Sequence, residues 1–168
     1  LSLEGKKFWV LGLAPVKRKQ ILYGKFLFSF FGSLIVSEAL ILFSDFILEF
    51  PASMYLCHAV LVVAVCAGLS AISVGLGARY PNLKEDTPAK IVAGFGGTLN
   101  LIVSMFYIAA LVITIAVPQH LALARVGPAG DSYFKVLGAY LIWSLAFGSA
   151  TSAFFLNIGL SRFRDLEF

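Results

Sequence analysis

Four long apolar blocks, separated by short stretches of proline and charge, set the pattern of this chain. The first runs from about Phe26 to Leu48, the second from Met54 to Ala78, the third from Phe95 to Val117 and the fourth from Phe134 to Leu160. Crossing a bilayer takes about 20 apolar residues in a helix that rises about 1.5 Å per residue, and each block is long enough. A soluble fold would show short alternating blocks instead. The separators are Glu49-Phe50-Pro51, Arg79 through Lys90, and Pro118 through Ser132. There is no internal repeat, low-complexity tract or soluble domain. The pattern predicts an all-α, polytopic transmembrane helix bundle with four spanning helices over residues 26–160. An interfacial element precedes it over residues 1–25, and a short tail follows over 161–168.

Composition agrees. Hydrophobic residues make up 60% of the chain and charged ones 13%, with a mean hydropathy of +0.91. A soluble domain carries roughly 45–50% apolar and about 25% charged residues. So little charge does not cover the surface of a small soluble protein.

The placement of Lys and Arg orients the spans. Lys6, Lys7, Lys17, Arg18, Lys19 and Lys25 precede the first; Arg79, Lys84 and Lys90 follow the second; Arg162 and Arg164 close the chain. Only Arg125 and Lys135 fall on the opposite face. Basic residues favour the cytoplasmic side, so both termini are expected there, in a multi-pass protein of the cell membrane. Because the basic residues cap apolar blocks, the net charge of +4 points to lipid headgroups and not to nucleic acid.

Small residues three or four apart line one side of two spans: Ala64, Gly68, Ala71, Gly75 and Ala78 in the second, and Ser144, Gly148 and Ser152 in the fourth. Such stripes let helix backbones approach closely in lipid, where van der Waals contact drives association. They read as packing faces in preference to a pore lining. Cys57 and Cys66 are about 13 Å apart along one helix, too far for a disulfide, and read as small core residues.

Residues 3–25 read physically as an interfacial element. Phe8 and Trp9 suit the headgroup layer, Lys6 and Lys7 suit anionic lipid, and Pro15 separates a short helix from the next. An ordinary amphipathic anchor accounts for all of this. The order Glu4, Gly5, Leu11, Pro15, Val16, Ile21, Leu22, Gly24, Lys25 also resembles the cytoplasmic loop ahead of the third membrane helix in type 2 ABC transporter permeases, an export family. Lys6-Lys7-Phe8-Trp9 departs from the commoner Gly-Thr-Leu-Glu and is closer to an extended exporter subgroup. The resemblance implies that Glu4, Gly5, Phe8, Trp9 and Pro15 belong to a coupling helix that docks on a nucleotide-binding ATPase subunit. It implies a second permease copy or half as partner, and makes the four spans the last four of a six-helix unit, with two helices lost or lying upstream. The opening Leu-Ser-Leu-Glu, without Met, likewise predicts the C-terminal part of a longer protein.

In the second cytoplasmic loop, Thr87-Pro88 is a helix start, with Lys84, Glu85 and Asp86 before it. The resemblance makes these three a second coupling element; a solvated turn with a capped helix is the other reading. Gly94-Phe95-Gly96-Gly97 is not a phosphate loop, and no Walker A string occurs. The resemblance then implies that ATP turnover belongs to a partner subunit or to a domain outside this stretch; no cofactor is expected in this chain, which is expected to be a transport subunit and not an enzyme.

Glu38, Asp45 and Glu49 stand at i, i+7 and i+11 of the first span, on one predicted face. Only Glu38 lies near the membrane centre, where an ionised group costs at least about 2.5–3.5 kcal/mol. With Asp45 it marks a candidate substrate path for a cationic or polar solute. Glu38 facing Asn100, Ser152 or Asn157 inside the bundle is the open alternative. His58 and His120 read as interfacial histidines without ligand partners. The leading expectation is the permease subunit of an ATP-driven exporter. A secondary-transporter fragment using Glu38, or a membrane scaffold subunit, is the alternative.

Overall fold

The computed structural model of the chain describes residues 18–81, 88–126 and 131–164. They form α1 (Arg18–Ile47), α2 (Ala52–Arg79), the short α3 (Pro88–Ala93), α4 (Phe95–Val126) and α5 (Asp131–Arg164). No strand occurs among the described residues. Helices α1, α2, α4 and α5 are each long and apolar enough to cross a membrane. The fold is the all-α polytopic bundle that the apolar blocks predict. The interfacial helix expected within residues 3–15 lies outside the described residues.

Element bounds differ from the apolar blocks in three places. Helix α1 begins at Arg18, so residues 18–25 are its first turns and not part of a separate interfacial segment. Nothing between Lys19 and Lys25 breaks a helix, and Leu22 is anchored against Ala78 and Leu160. Helix α4 does not close at Val117 but runs through Pro118 to Val126. A proline costs one internal donor, which membrane helices tolerate by local readjustment. Helix α5 starts at Asp131 and continues to Arg164. The separator at 118–133 and the tail after residue 160 are thus helical wherever they are described.

Helix α2 is the centre of the bundle. In its most apolar stretch 44% of residues are buried, against 0%, 11% and 17% in α1, α4 and α5. Its most extensive neighbour is α5, followed by α1 and α4. The small-residue stripe explains this. Ala64, Ala71 and Ala78 are buried completely or nearly so. Ala64 lies against Gly148, and Gly75 lies against Phe155 and Gly159. These two contacts advance together along both chains, so α2 and α5 run parallel. At Gly75 the backbones nearly touch, its Cα standing 2.9 Å from where a Cβ on Gly159 would sit.

On another side of α2 sits α4, antiparallel. The Tyr107 hydroxyl donates to the Ala64 carbonyl at 2.7 Å, and its ring stacks on Phe147 at 5.7 Å. Tyr107 joins Ala64, Ile72, Leu76 and Leu111 in the core. Most large side chains of α1 and α4 point outward instead, Phe28, Phe46 and Phe106 among them. That is the arrangement expected where hydrocarbon replaces water as the solvent.

The alternating directions bring the start of α1 and the ends of α2 and α5 together, as the Leu22–Ala78–Leu160 cluster shows. The start of α4 joins them through the edge-on Tyr80–Phe95 contact, 5.3 Å between centroids. Helix α3 packs on α4 there. A Cβ at Gly97 would overlap the Val92 carbonyl. The bend at Gly94 therefore packs the end of α3 tightly against the first turn of α4.

Candidate functional site

Two carboxylates of α1, Glu38 and Asp45, lie on the row that α2 covers. Leu22, Phe26, Phe30, Leu34, Glu38, Ile41 and Asp45 are its buried or half-buried positions, three or four apart as one helix face requires. Ser29, beside that row, donates to the Ser70 hydroxyl of α2 at 3.4 Å. Near the other end of α1, Asp45 meets His58 of α2. These two contacts tie α1 to the central helix and leave Glu38 between them.

Asp45 is the most deeply placed carboxylate among the described residues, with its side chain 3% exposed. Both its oxygens lie within reach of His58 Nδ1, at 2.8 and 3.0 Å. With the carboxylate as acceptor, Nδ1 carries the hydrogen. Phe50 closes the site edge-on to the imidazole, with centroids 5.6 Å apart. The turn between the helices sets this geometry. Phe50 N–H donates to the Asp45 carbonyl at 3.2 Å and Glu49 N–H to the Phe46 carbonyl at 3.3 Å. Together these bonds make a Schellman cap, in which Glu49 is the left-handed residue, at φ 53°. Pro51 then starts α2 in extended conformation. Asp45 and His58 stand nearly equidistant from this turn, and an antiparallel hairpin brings such positions face to face.

The predicted face of three carboxylates is therefore corrected. Glu38 and Asp45 share the α2-facing row, but Glu49 lies beyond the helix end and is exposed. Its role is conformational, because the cap needs a positive φ where the hairpin turns. His58, read as an interfacial histidine, has a further role in holding the buried Asp45. The nearly equal spacing about Pro51 was the signal that would have found the pair.

Glu38 is half-buried and meets none of the three partners weighed from the sequence. Asn100 accepts from the Ser73 hydroxyl at 3.3 Å, Ser152 donates to the Gly148 carbonyl of its own helix, and Asn157 is exposed. Among the described residues no hydrogen bond or ion pair reaches Glu38. The arrangement offers one carboxylate without an internal partner between two helices, and a second, deeper one held by a histidine.

A shallow cleft lined by Leu111, Thr114, Trp143, Ser144 and Phe147 opens elsewhere on the bundle. Its two hydroxyls turn back on their own helices, Thr114 to the Ala110 carbonyl and Ser144 to that of Leu141. It offers a ligand no polar group. The candidate coupling residues Glu4, Gly5, Phe8, Trp9, Pro15, Lys84, Glu85 and Asp86 lie outside the described residues.

No curated protein and no solved structure matches the chain. Four span-length helices and the absence of a Walker A string are thus joined by one relation, and it extends over the full length. Residues 1–168 match the family model described as "Putative ATP-binding cassette", and the chain belongs to that ABC-related family.

Proposed function

We propose that this chain is the membrane-spanning permease part of an ATP-driven, ABC-type exporter, and that a partner subunit hydrolyses the ATP. The observation that carries the reading is the full-length ABC-related match on a chain whose candidate spans account for most of the described residues. A Walker A string, which would place ATP turnover in this chain, is missing from the sequence. The basic end of the bundle is the cytoplasmic one in this reading, with both termini there, and a second permease copy or half completes the transporter.

Force from the ATPase would enter through residues 3–15 and through the loop ending in α3. The tight fold of α3 on α4 supports this, because Gly97 against the Val92 carbonyl leaves little room for α3 to move independently. Motion of α3 would pass to α4 and, through Tyr107, to α2. Packed helices respond to such input by small rigid shifts. Co-purification of the ATPase with wild type and with Glu4→Lys tests the reading. The variant is expected to insert in the membrane normally yet lose its ATPase partner. Retention of the partner together with stimulated hydrolysis would reduce residues 3–15 to a membrane-surface anchor.

The α1–α2 seam is the candidate substrate path in this proposal. Glu38→Gln is expected to lower transport at least ten-fold and Glu49→Gln less than two-fold, on the order of what a lost mid-membrane charge and a solvated one imply. Transport into inverted vesicles by each variant is the measurement. Equal, near-normal rates would return Glu38 to a structural role.

A further inference from the structure

Among the described side chains, basic residues outnumber acidic ones at one end of the bundle. Lys19, Arg79, Lys90 and Arg162 are exposed, Lys25 is half-buried, and all five lie at the end where α1 starts and α2 and α5 finish. The described carboxylate side chains, Glu38, Asp45 and Glu49, lie toward the middle and the other end of the molecule. The basic residues come from four helices and make a basic collar at that end of the chain's fold, open on the side of α4. Three of them border an outward-facing apolar or aromatic side chain. Tyr23 follows Lys19, Tyr80 follows Arg79, and Val92 and Phe95 follow Lys90, at 45%, 41%, 68% and 70% exposure.

Around Arg79 the collar is built rather than merely charged. The guanidinium carbon stands 5.9 Å from the Tyr80 ring centre, a cation–π placement. Tyr80 in turn sits edge-on against Phe95, and the Tyr80 carbonyl lies 3.0 Å from where a Cβ on Gly96 would be. The stack holds a cation at the level where the apolar spans end. Below it the surface suits acyl chains, and above it the surface suits phosphate. A phospholipid matches both in this vertical order.

We propose that this basic end, centred on Arg79, Tyr80, Lys90 and Phe95, is a binding surface for anionic phospholipid headgroups. The inference needs only that the helices span a bilayer, and it stands apart from the permease reading. The test uses the full chain in bilayers of phosphatidylcholine mixed with phosphatidylglycerol. Lipid retained after detergent extraction is measured by mass spectrometry at low and high salt. Wild type is expected to retain phosphatidylglycerol over phosphatidylcholine, the more so at low salt. Arg79→Gln and Lys90→Gln should each reduce that enrichment about five-fold, whereas Arg79→Lys and Lys135→Gln, the latter at the opposite end, should leave it within two-fold. Equal retention of the two lipids by wild type, which needs no variant to fold, would overturn the proposal. So would displacement of the lipid by inorganic phosphate, which would make this a soluble-anion site. Variants that keep the lipid but lose a co-purified ATPase would make it a protein-docking face.

Discussion

Gly75→Ala will destabilise the bundle strongly for the addition of a single methyl group. A Cβ at this position would overlap the Phe155 carbonyl oxygen and stand 2.7 Å from its carbon. Both obstacles are backbone, so no rotamer change relieves them, and α5 must move away as a whole. That movement also opens the neighbouring contact with Gly159. Overpacking costs about 1–3 kcal/mol where side chains can adjust, and a rigid backbone contact places this case at about 3 kcal/mol or above. For a chain of this size the melting temperature should fall on the order of 10 °C. Gly77→Ala is the matched control, because a Cβ there meets nothing within 4 Å and alanine favours the helix. Thermal unfolding of both variants in one detergent checks the contrast. Similar melting temperatures would mean that α2 and α5 do not cross at Gly75.

His58→Ala will cost more than Asp45→Ala, although both remove the same contact. Losing the histidine strands a carboxylate whose side chain is 3% exposed, whereas losing the aspartate leaves an imidazole that is 34% exposed and can reach water. Stranding a buried charge costs about 3–5 kcal/mol. An average hydrogen bond between membrane helices contributes only about 0.6 kcal/mol. Ser29→Ala, which removes the Ser29–Ser70 bond, should accordingly stay below about 1 kcal/mol. The Asp45→Ala/His58→Ala double variant should be more stable than His58→Ala alone, because the stranded charge has gone. A double-mutant cycle on unfolding supplies all three values. If the two single variants are equally stable, Asp45 is reaching another partner or solvent.

Both predictions concern features of unequal visibility in the sequence. The stripe of Ala64, Gly68, Ala71, Gly75 and Ala78 was legible because helical periodicity alone places those residues on one side. That α5 fills the stripe, and runs parallel to it, was not legible, since Ser144, Gly148 and Ser152 are equally compatible with other neighbours. Glu38 and Asp45 on one row were legible from their spacing. Glu49 was misplaced because spacing assumes an unbroken helix, and the Schellman cap ends the helix before it. His58 gained its meaning only when the hairpin turn at Pro51 fixed which residues of α1 and α2 stand opposite each other.

What the amino-acid order determined by itself is the class of structure: four apolar segments of spanning length, the stops between them, and an uneven distribution of basic residues. These depend on transfer of each segment from water to hydrocarbon, which sums over neighbours in the chain and is insensitive to what lies across the bundle. The tertiary structure alone decided that α2 is central, that α1 is held by polar contacts at Ser29 and Asp45, and that Asp45 is buried against a histidine. Those outcomes depend on close packing and hydrogen-bond geometry between residues far apart in sequence. In lipid no hydrophobic gradient drives helices together, so shape and a few polar contacts choose the partners.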